Sequence, residues 1–525
     1  MIFLVGFIIA AYSYSLFFLG ISSNISPASV LVATLIFFSI FLAVIIKWTK
    51  INFLKVSNFS KLEIFSLVLI VLLSIVNLIG ALAPELSFDA LWYHLTLPKI
   101  YIESGEISYI PGGLFYYSVM PKLIDILYIP SLMFGNEVGA KLTHYFFGVL
   151  TSIVLFLCAK EFVNRKIALL CVLLFLSNLV VSWEMTVAYI DLGRTFYESL
   201  SLFAFILWLK SKSMKYIYIL GLTLGCAVAS KYLSIVSVGL YVLLIGIVSF
   251  QLKYSFTIIV KNIIYTLFYS IIVPLPWFLF AYVYTGNPLY PSFTTDINAL
   301  TFSLTQLLPF NLMISFWNLF MKSPDPISPI YFIVLPLIIA IYKKFTYMEK
   351  AIMLLGTLSV VSLIFLPQIG GGRFTLAYLP LYSLVVGIII SKSGIKVRKT
   401  ITLLIFLIAF ITIAYRGVAH IRYLPVVFGF ENKESFLRNN LNFAFGDFYD
   451  PNIKNLIIPN SKVLIVGSHN LYYVDFPFEH ESYSRDDDEY KYIVTHNSSL
   501  PQKYKDYIEI YSNNENFVKL YKYEE

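Results

Sequence analysis

Asp89, His94, Lys99, Glu103 and Glu106 fall within one stretch, ELSFDALWYHLTLPKIYIESGEI over residues 85–107, of a chain otherwise built largely from apolar runs. Carboxylate, imidazole and amine groups gathered this closely offer proton transfer and charge stabilisation. Asp89 opens a run whose apolar positions Leu91, Leu95 and Ile102 fit one helix side, with Pro98 as a break. Spacing leaves two readings of Asp89 open. It is a helix N-cap, where Asp is favoured, or it is a carboxylate at a membrane edge, far in sequence from any basic partner, whose raised pKa suits a general base. His94 and Lys99 project from other sides of such a helix, at about 100° per residue. His94 reads as structural and Lys99 as a contact to lipid headgroups, with both kept as secondary candidates.

Further charged residues stand beside apolar runs. The hairpin SWEMTVAYIDLGR, 182–194, carries Glu184 and Asp191. Arg373 follows Gly370–Gly372, and an Arg after a flexible run matches phosphate recognition, because its planar fork suits two oxygens. Lys231, in ASKYLS between two runs, is a second cation for the same role, though headgroups explain it almost as well. The acidic run 486–489 reads as a solvated loop rather than a metal site. Cys158, Cys171 and Cys226 all lie in apolar runs, so neither a disulfide framework nor a metal-ligand spacing emerges.

These residues are held by a chain of 525 residues that is 58% hydrophobic and only 13% charged, with mean hydropathy +0.78. Soluble domains carry about 25% charged residues, so this is a polytopic membrane protein. Runs long enough to cross a bilayer predict about 13 spans, among them 167–183, 192–209 and 327–342. The net charge of +8 divides unevenly: residues 1–415 hold 26 Lys and Arg against 14 Asp and Glu, whereas residues 416–525 hold 12 against 16. The basic excess sits in alternate loops, which predicts a cytoplasmic N-terminus by the positive-inside rule and argues against nucleic acid as a partner. Most acids then face outward, and that rule does not account for them. Chemistry at the outer face does.

The predicted organisation is two added helices over 1–61, a transmembrane module over 62–415 with outer loops 83–138 and 285–326, and an outer soluble α/β domain over 416–525. Pro-broken segments 121–134 and 300–320 are expected to lie in the membrane interface. The last domain is expected to hold a helix at 431–440 and strands near 462–466, 490–495, 507–511 and 517–523.

The ordered series FDALWYHLTLPKIYIESGEI, GNEVGAKLTHYFFGVL, AYIDLG, GLTLGCAVASKY, YTGNPLYPSF and RFTLAYLPLYSLVVG resembles the GT-C superfamily of membrane glycosyltransferases. The similarity is to the protein O-mannosyltransferases and lipid A aminoarabinose transferases, and it covers roughly 83–391. It implies transfer of a sugar from a polyprenyl-phosphate donor to a glycan, lipid or protein acceptor, by inverting displacement at the outer face of the cell membrane. Asp89 matches the family's first-loop acid, the general base. Asp191 matches a second-loop acid that orients the acceptor or supports a cation, with Glu184 its less secure neighbour. Arg373, helped by Lys231, matches the cation that holds the donor phosphate. Many relatives carry adjacent acids in the first loop; here Ala90 follows Asp89, so no metal or other cofactor is expected. The rival readings are a multi-pass transporter or flippase, whose charges belong near mid-bilayer, and an unrelated cell-envelope polysaccharide polymerase, which would lean on more arginines.

Overall fold

The computed structural model describes residues 1–52, 59–292, 310–311, 313–314, 317, 326–364, 372–441, 451–485, 488–514 and 517–524. Seven of its helices are long and apolar enough to cross a bilayer: Ile2–Ile21, Pro27–Lys47, Lys61–Leu82, Glu137–Lys160, Tyr232–Gln251, Gly372–Lys392 and Ile395–Val427. Phe256–Ile272 and Leu275–Thr285 make an eighth if counted as one span bent by 57°. The bend falls at Pro274 and Pro276, where proline removes helix donors. The chain is a multi-pass membrane protein with a small C-terminal sheet.

The remaining predicted spans are shorter or interrupted. The run 167–183 divides into Arg165–Leu176 and Leu179–Glu184. Asn178 stops the first piece by donating to the carbonyls of Leu174 and Phe175, both at 2.9 Å, and it accepts the Ser328 N–H at 2.8 Å. Pro329 and Pro336 divide 327–342 into Ile330–Ile333 and Leu335–Ile341. Asp191–Ser211 is long enough, with 21 residues, but it carries Asp191, Arg194, Glu198 and Lys210 and is buried almost throughout. It is the hub of the bundle.

One expectation changes on this hub. The segment 121–134 does not lie in the interface: Leu123, Ile124, Ile126, Tyr128 and Ile129 are all buried. It packs on the start of the hub at Gly193, where a Cβ would come within 2.5 Å of Ile124, so only glycine lets the loop this close. Ile2–Ile21 also reaches inward, with the Gly6 carbonyl accepting from Tyr197 Oη at 2.9 Å and the Leu123 carbonyl from Ser13 Oγ at 2.6 Å. The counterpart segment 300–320 falls largely outside the described residues.

The last membrane helix continues past Tyr415 to His420 before the C-terminal part begins. The helix Lys433–Asn440 starts where Asn432 accepts the Ser435 N–H at 2.8 Å. Five strands follow: β1 (Val463–Val466), β2 (Phe478–His480), β3 (Tyr492–His496), β4 (Ile508–Asn513) and β5 (Val518–Lys522), in the order β2-β1-β3-β5-β4. β1 is parallel to β2 and β3, and β5 is antiparallel to β3 and β4. Four of these were expected; β2, too short for alternation to show, was not.

The connection between β1 and β2 docks on the opening stretch through backbone bonds from Leu471 and Tyr472 N–H to the Leu91 carbonyl, at 3.1 and 3.2 Å. Lys99 completes the seam. Its ammonium donates to the carbonyls of Tyr472 and Val474, and burial pushes it below the ordinary lysine range. It is therefore a strut between two parts of the chain and not a headgroup contact. Lys99→Met should destabilise this docking by about 2–3 kcal/mol, the scale of a hydrogen bond from a charged donor. Limited proteolysis checks it: cleavage within 416–525 should quicken while the membrane helices stay protected.

Candidate active site

Asp89 occupies the N-cap position of a short π-helical turn, Ala90–His94, yet its side chain makes no capping bond. Instead Asp89 Oδ2 accepts from Arg373 Nη1 at 2.6 Å and from the Tyr93 hydroxyl at 3.4 Å. The basic partner missing in sequence is supplied in space, 284 positions away.

Arg373 lies in the turn Gly372–Thr375 that leads into Leu379–Lys392. Its Nε donates to Asp191 Oδ2 at 2.9 Å and stands 3.5 Å from Glu184 Oε1. The guanidinium rests over the Tyr189 ring, 4.3 Å from its centroid, a cation–π contact that fixes its plane. On the far side of Asp191, Lys231 Nζ approaches Oδ1 at 2.6 Å. The result is an alternating row, Asp89, Arg373, Asp191, Lys231, assembled from four separate parts of the chain. Helix ends favour two of them. Asp191 opens Asp191–Ser211, and Lys231 caps the C-terminus of Met214–Ser230, where the helix dipoles suit an anion and a cation respectively.

The two buried acids are driven in opposite directions. Burial alone would raise Asp191, but Arg373 and Lys231 outweigh it and hold the carboxyl well below the usual range. For Glu184, burial and then the Asp191 charge push the carboxyl well above its usual range, and the same cations only partly oppose them. Neither Glu184 oxygen has a hydrogen-bond partner among the described residues. Glu184 thus holds its proton far more readily than Asp191 beside it. Glu184→Gln keeps the shape and mimics the protonated form that burial and Asp191 favour, so stability should change by less than about 1 kcal/mol, the ordinary scale for a substitution; a thermal melt against wild type checks it. Burial also pushes Lys231 down, against the pull of Asp191.

His94 is tied to a different acid, Asp125. Its Nδ1 lies 2.7 Å from Asp125 Oδ1, and Asp125 Oδ2 lies 3.2 Å from Lys122 Nζ, all three side chains being buried. That triad braces the first loop beneath Asp89. Two residues of importance were not singled out in the sequence. Tyr189 carries Arg373 on its ring, and its hydroxyl accepts the Asp89 N–H at 3.3 Å; among so many aromatics it gave no signal. Glu85 accepts the N–H groups of Leu86, Ser87 and Ala188 at 2.9, 2.8 and 2.6 Å and so pins the first loop to the 182–194 hairpin. A glutamate after Ala83–Pro84, at the edge of a span, was its available sign.

Gly370, Gly371, Asp296, Asp325, Asp486 and Asp487 lie outside the described residues. Among the described residues no group of three or more His, Cys, Asp or Glu is placed to hold a metal ion.

The family described as dolichyl-phosphate-mannose-protein mannosyltransferase matches residues 112–287, under half of the chain. The matched stretch contains Glu184, Asp191 and Lys231 but neither Asp89 nor Arg373. The crystal structure of ArnT from Cupriavidus metallidurans superposes with a TM-score of 0.57 at 12% identity, over 87% of this chain and 97% of ArnT. The chain has the GT-C fold. ArnT bound to undecaprenyl phosphate shares this GT-C fold with a TM-score of 0.53 at 13% identity over the same shares of both chains. The Archaeoglobus fulgidus oligosaccharyltransferase, in complex with Zn and sulfate, gives 0.50 at 14% identity over 86% of this chain and 73% of its own. No curated protein sequence matches the chain. The row of Asp89, Arg373, Asp191 and Lys231 gathers at helix ends beside the first long loop.

Proposed function

We propose that the chain is a membrane glycosyltransferase that moves a sugar from a polyprenyl-phosphate donor to an acceptor hydroxyl on the outer face. The observation that carries this reading is the convergence of Asp89, Asp191, Arg373 and Lys231, far apart in sequence, in one alternating row. Two further features support it. ArnT, which shares the fold, is known bound to undecaprenyl phosphate. The Gly372–Lys392 span that begins with Arg373 also borders, through Tyr382, Val385 and Val386, an apolar cavity of about 260 Å³ completed by Tyr331, Ile338 and Met353, which suits the hydrocarbon of a prenyl chain.

In the reaction the acceptor oxygen bonds to the anomeric carbon from the face opposite the phosphate, so the configuration inverts. The bond from that carbon to the phosphate oxygen breaks, its electron pair leaves with the polyprenyl phosphate, and the acceptor proton passes to Asp89. Negative charge grows on the leaving phosphate, and Arg373 and Lys231 are fixed cations placed to meet it where the transition state needs it most. Asp191 holds both cations in position. Their charge replaces that of a metal, so transfer is expected to proceed without one and without another cofactor. The acceptor is a glycan, lipid or protein bearing a hydroxyl. The Lys and Arg bias supports a cytoplasmic N-terminus and an outer C-terminal part, in the cell membrane.

A transporter would use charge within the bilayer. Glu198, inside a helix, is instead satisfied by Ser237 Oγ at 2.7 Å and stands 3.8 Å from Arg194. Proteoliposomes of the full chain, given radiolabelled polyprenyl-phosphate sugars and a membrane extract as acceptor, test the proposal. Label should leave the donor for a new product. Movement of intact donor across the bilayer without transfer would overturn it.

A further inference from the structure

A second cavity, of about 390 Å³, lies behind the candidate active site, between residues 84–88, the hairpin 183–189 and the end of the last membrane helix. Lys141, Arg416 and Arg422 line it against a single carboxylate, Glu85, with His420 beside them. Glu85 is already engaged by three backbone N–H groups. Lys141 is buried with its ammonium on the carbonyls of Gly80, Ala83 and Pro84, at 2.9, 2.7 and 3.2 Å. Among the described residues neither Lys141 nor Arg422 has an acidic side chain within salt-bridge distance. The charge of Lys141, rather than its N–H groups, therefore reaches the cavity. Arg416 already donates from Nη2 to the Leu179 carbonyl at 2.7 Å and Arg422 from Nη2 to the Tyr423 hydroxyl at 2.8 Å, which anchors two planar, multi-donor groups of the form that suits phosphate oxygens at the cavity wall.

The sequence builds this wall deliberately close. Arg416, Ala419, His420 and Tyr423 recur at helical spacing and all line the cavity. Gly80 lets the helix meet the hairpin: a Cβ there would lie 2.7 Å from Thr186 and 2.9 Å from His420. Tyr189 is the partition between the sites. It lines the cavity while its ring supports Arg373 and its hydroxyl accepts from Asp89.

We infer that this cavity is a second anion site that takes a phosphate group, distinct from the phosphate position at Arg373 and Lys231. Its surroundings favour the phosphate of an anionic lipid headgroup. Val418 and Ile421, on the same helix end, are 69% and 59% exposed, as a lipid-facing flank would be. Trp183 and Tyr423 line the cavity, and such amphipathic rings settle at headgroup level.

Isothermal titration calorimetry on the purified full chain in uncharged detergent separates the sources. Three probes are titrated: dioctanoyl phosphatidylglycerol, dioctanoyl phosphatidylcholine and inorganic phosphate. Saturable binding of the phosphatidylglycerol is expected, weakened at least about tenfold in the Arg416→Gln/Arg422→Gln variant, as loss of a charge-assisted bond implies. Asp89→Asn should leave it unchanged. Arg422→Gln alone, at an exposed position, keeps the test if the double variant does not fold, with weakening of about threefold. If inorganic phosphate binds as tightly and with the same arginine dependence, the site is upheld and its ligand is a soluble phosphate. Equal binding of phosphatidylcholine, no binding of either anion, or binding indifferent to both arginines would overturn it. None of these outcomes depends on sugar transfer, so this site and the proposed activity stand or fall separately.

Discussion

Asp89→Asn should lower transfer from a polyprenyl-phosphate sugar by about 10²–10⁴-fold, the contribution of a positioned general base, with the protein still folded and in the membrane. The amide keeps the shape of the side chain and can accept from Arg373, but it cannot take the acceptor proton. Stability should barely move. Asp89 is partly open to solvent, at 23% exposure, and an ion pair in that setting contributes about 0–1 kcal/mol. Arg373 also retains Asp191 as its partner. The loss should fall on kcat, with the donor KM nearly unchanged, because the proton moves only in the transition state. Initial-rate kinetics on membrane fractions with labelled donor, beside a thermal melt, measure both. Transfer at the wild-type rate would remove Asp89 from the mechanism.

Arg373→Ala should cost both binding and stability. Arg373 is the hinge of the row, touching Asp89, Asp191 and Glu184 at 2.6, 2.9 and 3.5 Å. Without it, Asp191 is a buried carboxylate with Lys231 alone for compensation, and stranding one member of a buried pair costs about 3–5 kcal/mol. Tm should fall clearly, and the apparent donor KM should rise. Arg373→Lys separates the two effects. A lysine keeps the charge beside Asp191 and so most of the stability, but it lacks the fork that meets two phosphate oxygens, so donor binding should stay impaired. Unchanged donor KM in both variants would exclude Arg373 from phosphate binding.

Much of the site was legible because charge is rare in this chain. With 13% charged residues, an ionisable group beside an apolar run has few bland explanations, and Asp89, Asp191, Lys231 and Arg373 stood out for that reason. What spacing could not show was which of them meet. Arg373 reaches Asp89 across 284 positions, and only the packing of the hub helix brings the two together. The same limit explains His94 and Lys99. Their proximity to Asp89 in sequence suggested shared chemistry, but the Ala90–His94 turn sends His94 to Asp125, and Lys99 reaches the connection between β1 and β2.

The fold was legible in kind more than in count. Apolar runs announced a membrane bundle, but hydropathy does not register an Asn178 that folds back on its own helix, or the prolines that divide 327–342. The loop segment 121–134 misled for a related reason. Its half-apolar composition fits an interface helix and a buried plug equally well, and the choice rests on Gly193 opposite Ile124. In the C-terminal part β-branched and aromatic runs revealed four strands, while Phe478–His480 became a strand only through its pairing with β1.

The central claim is that Arg373 and Lys231 receive the donor phosphate while Asp89 faces the acceptor. A structure of the full chain with a polyprenyl-phosphate donor bound measures this directly. The phosphate should lie within hydrogen-bond reach, about 3 Å, of both cations, with the anomeric carbon turned toward Asp89. A phosphate in contact with neither cation, or held only in the cavity of Arg416 and Arg422, would contradict it.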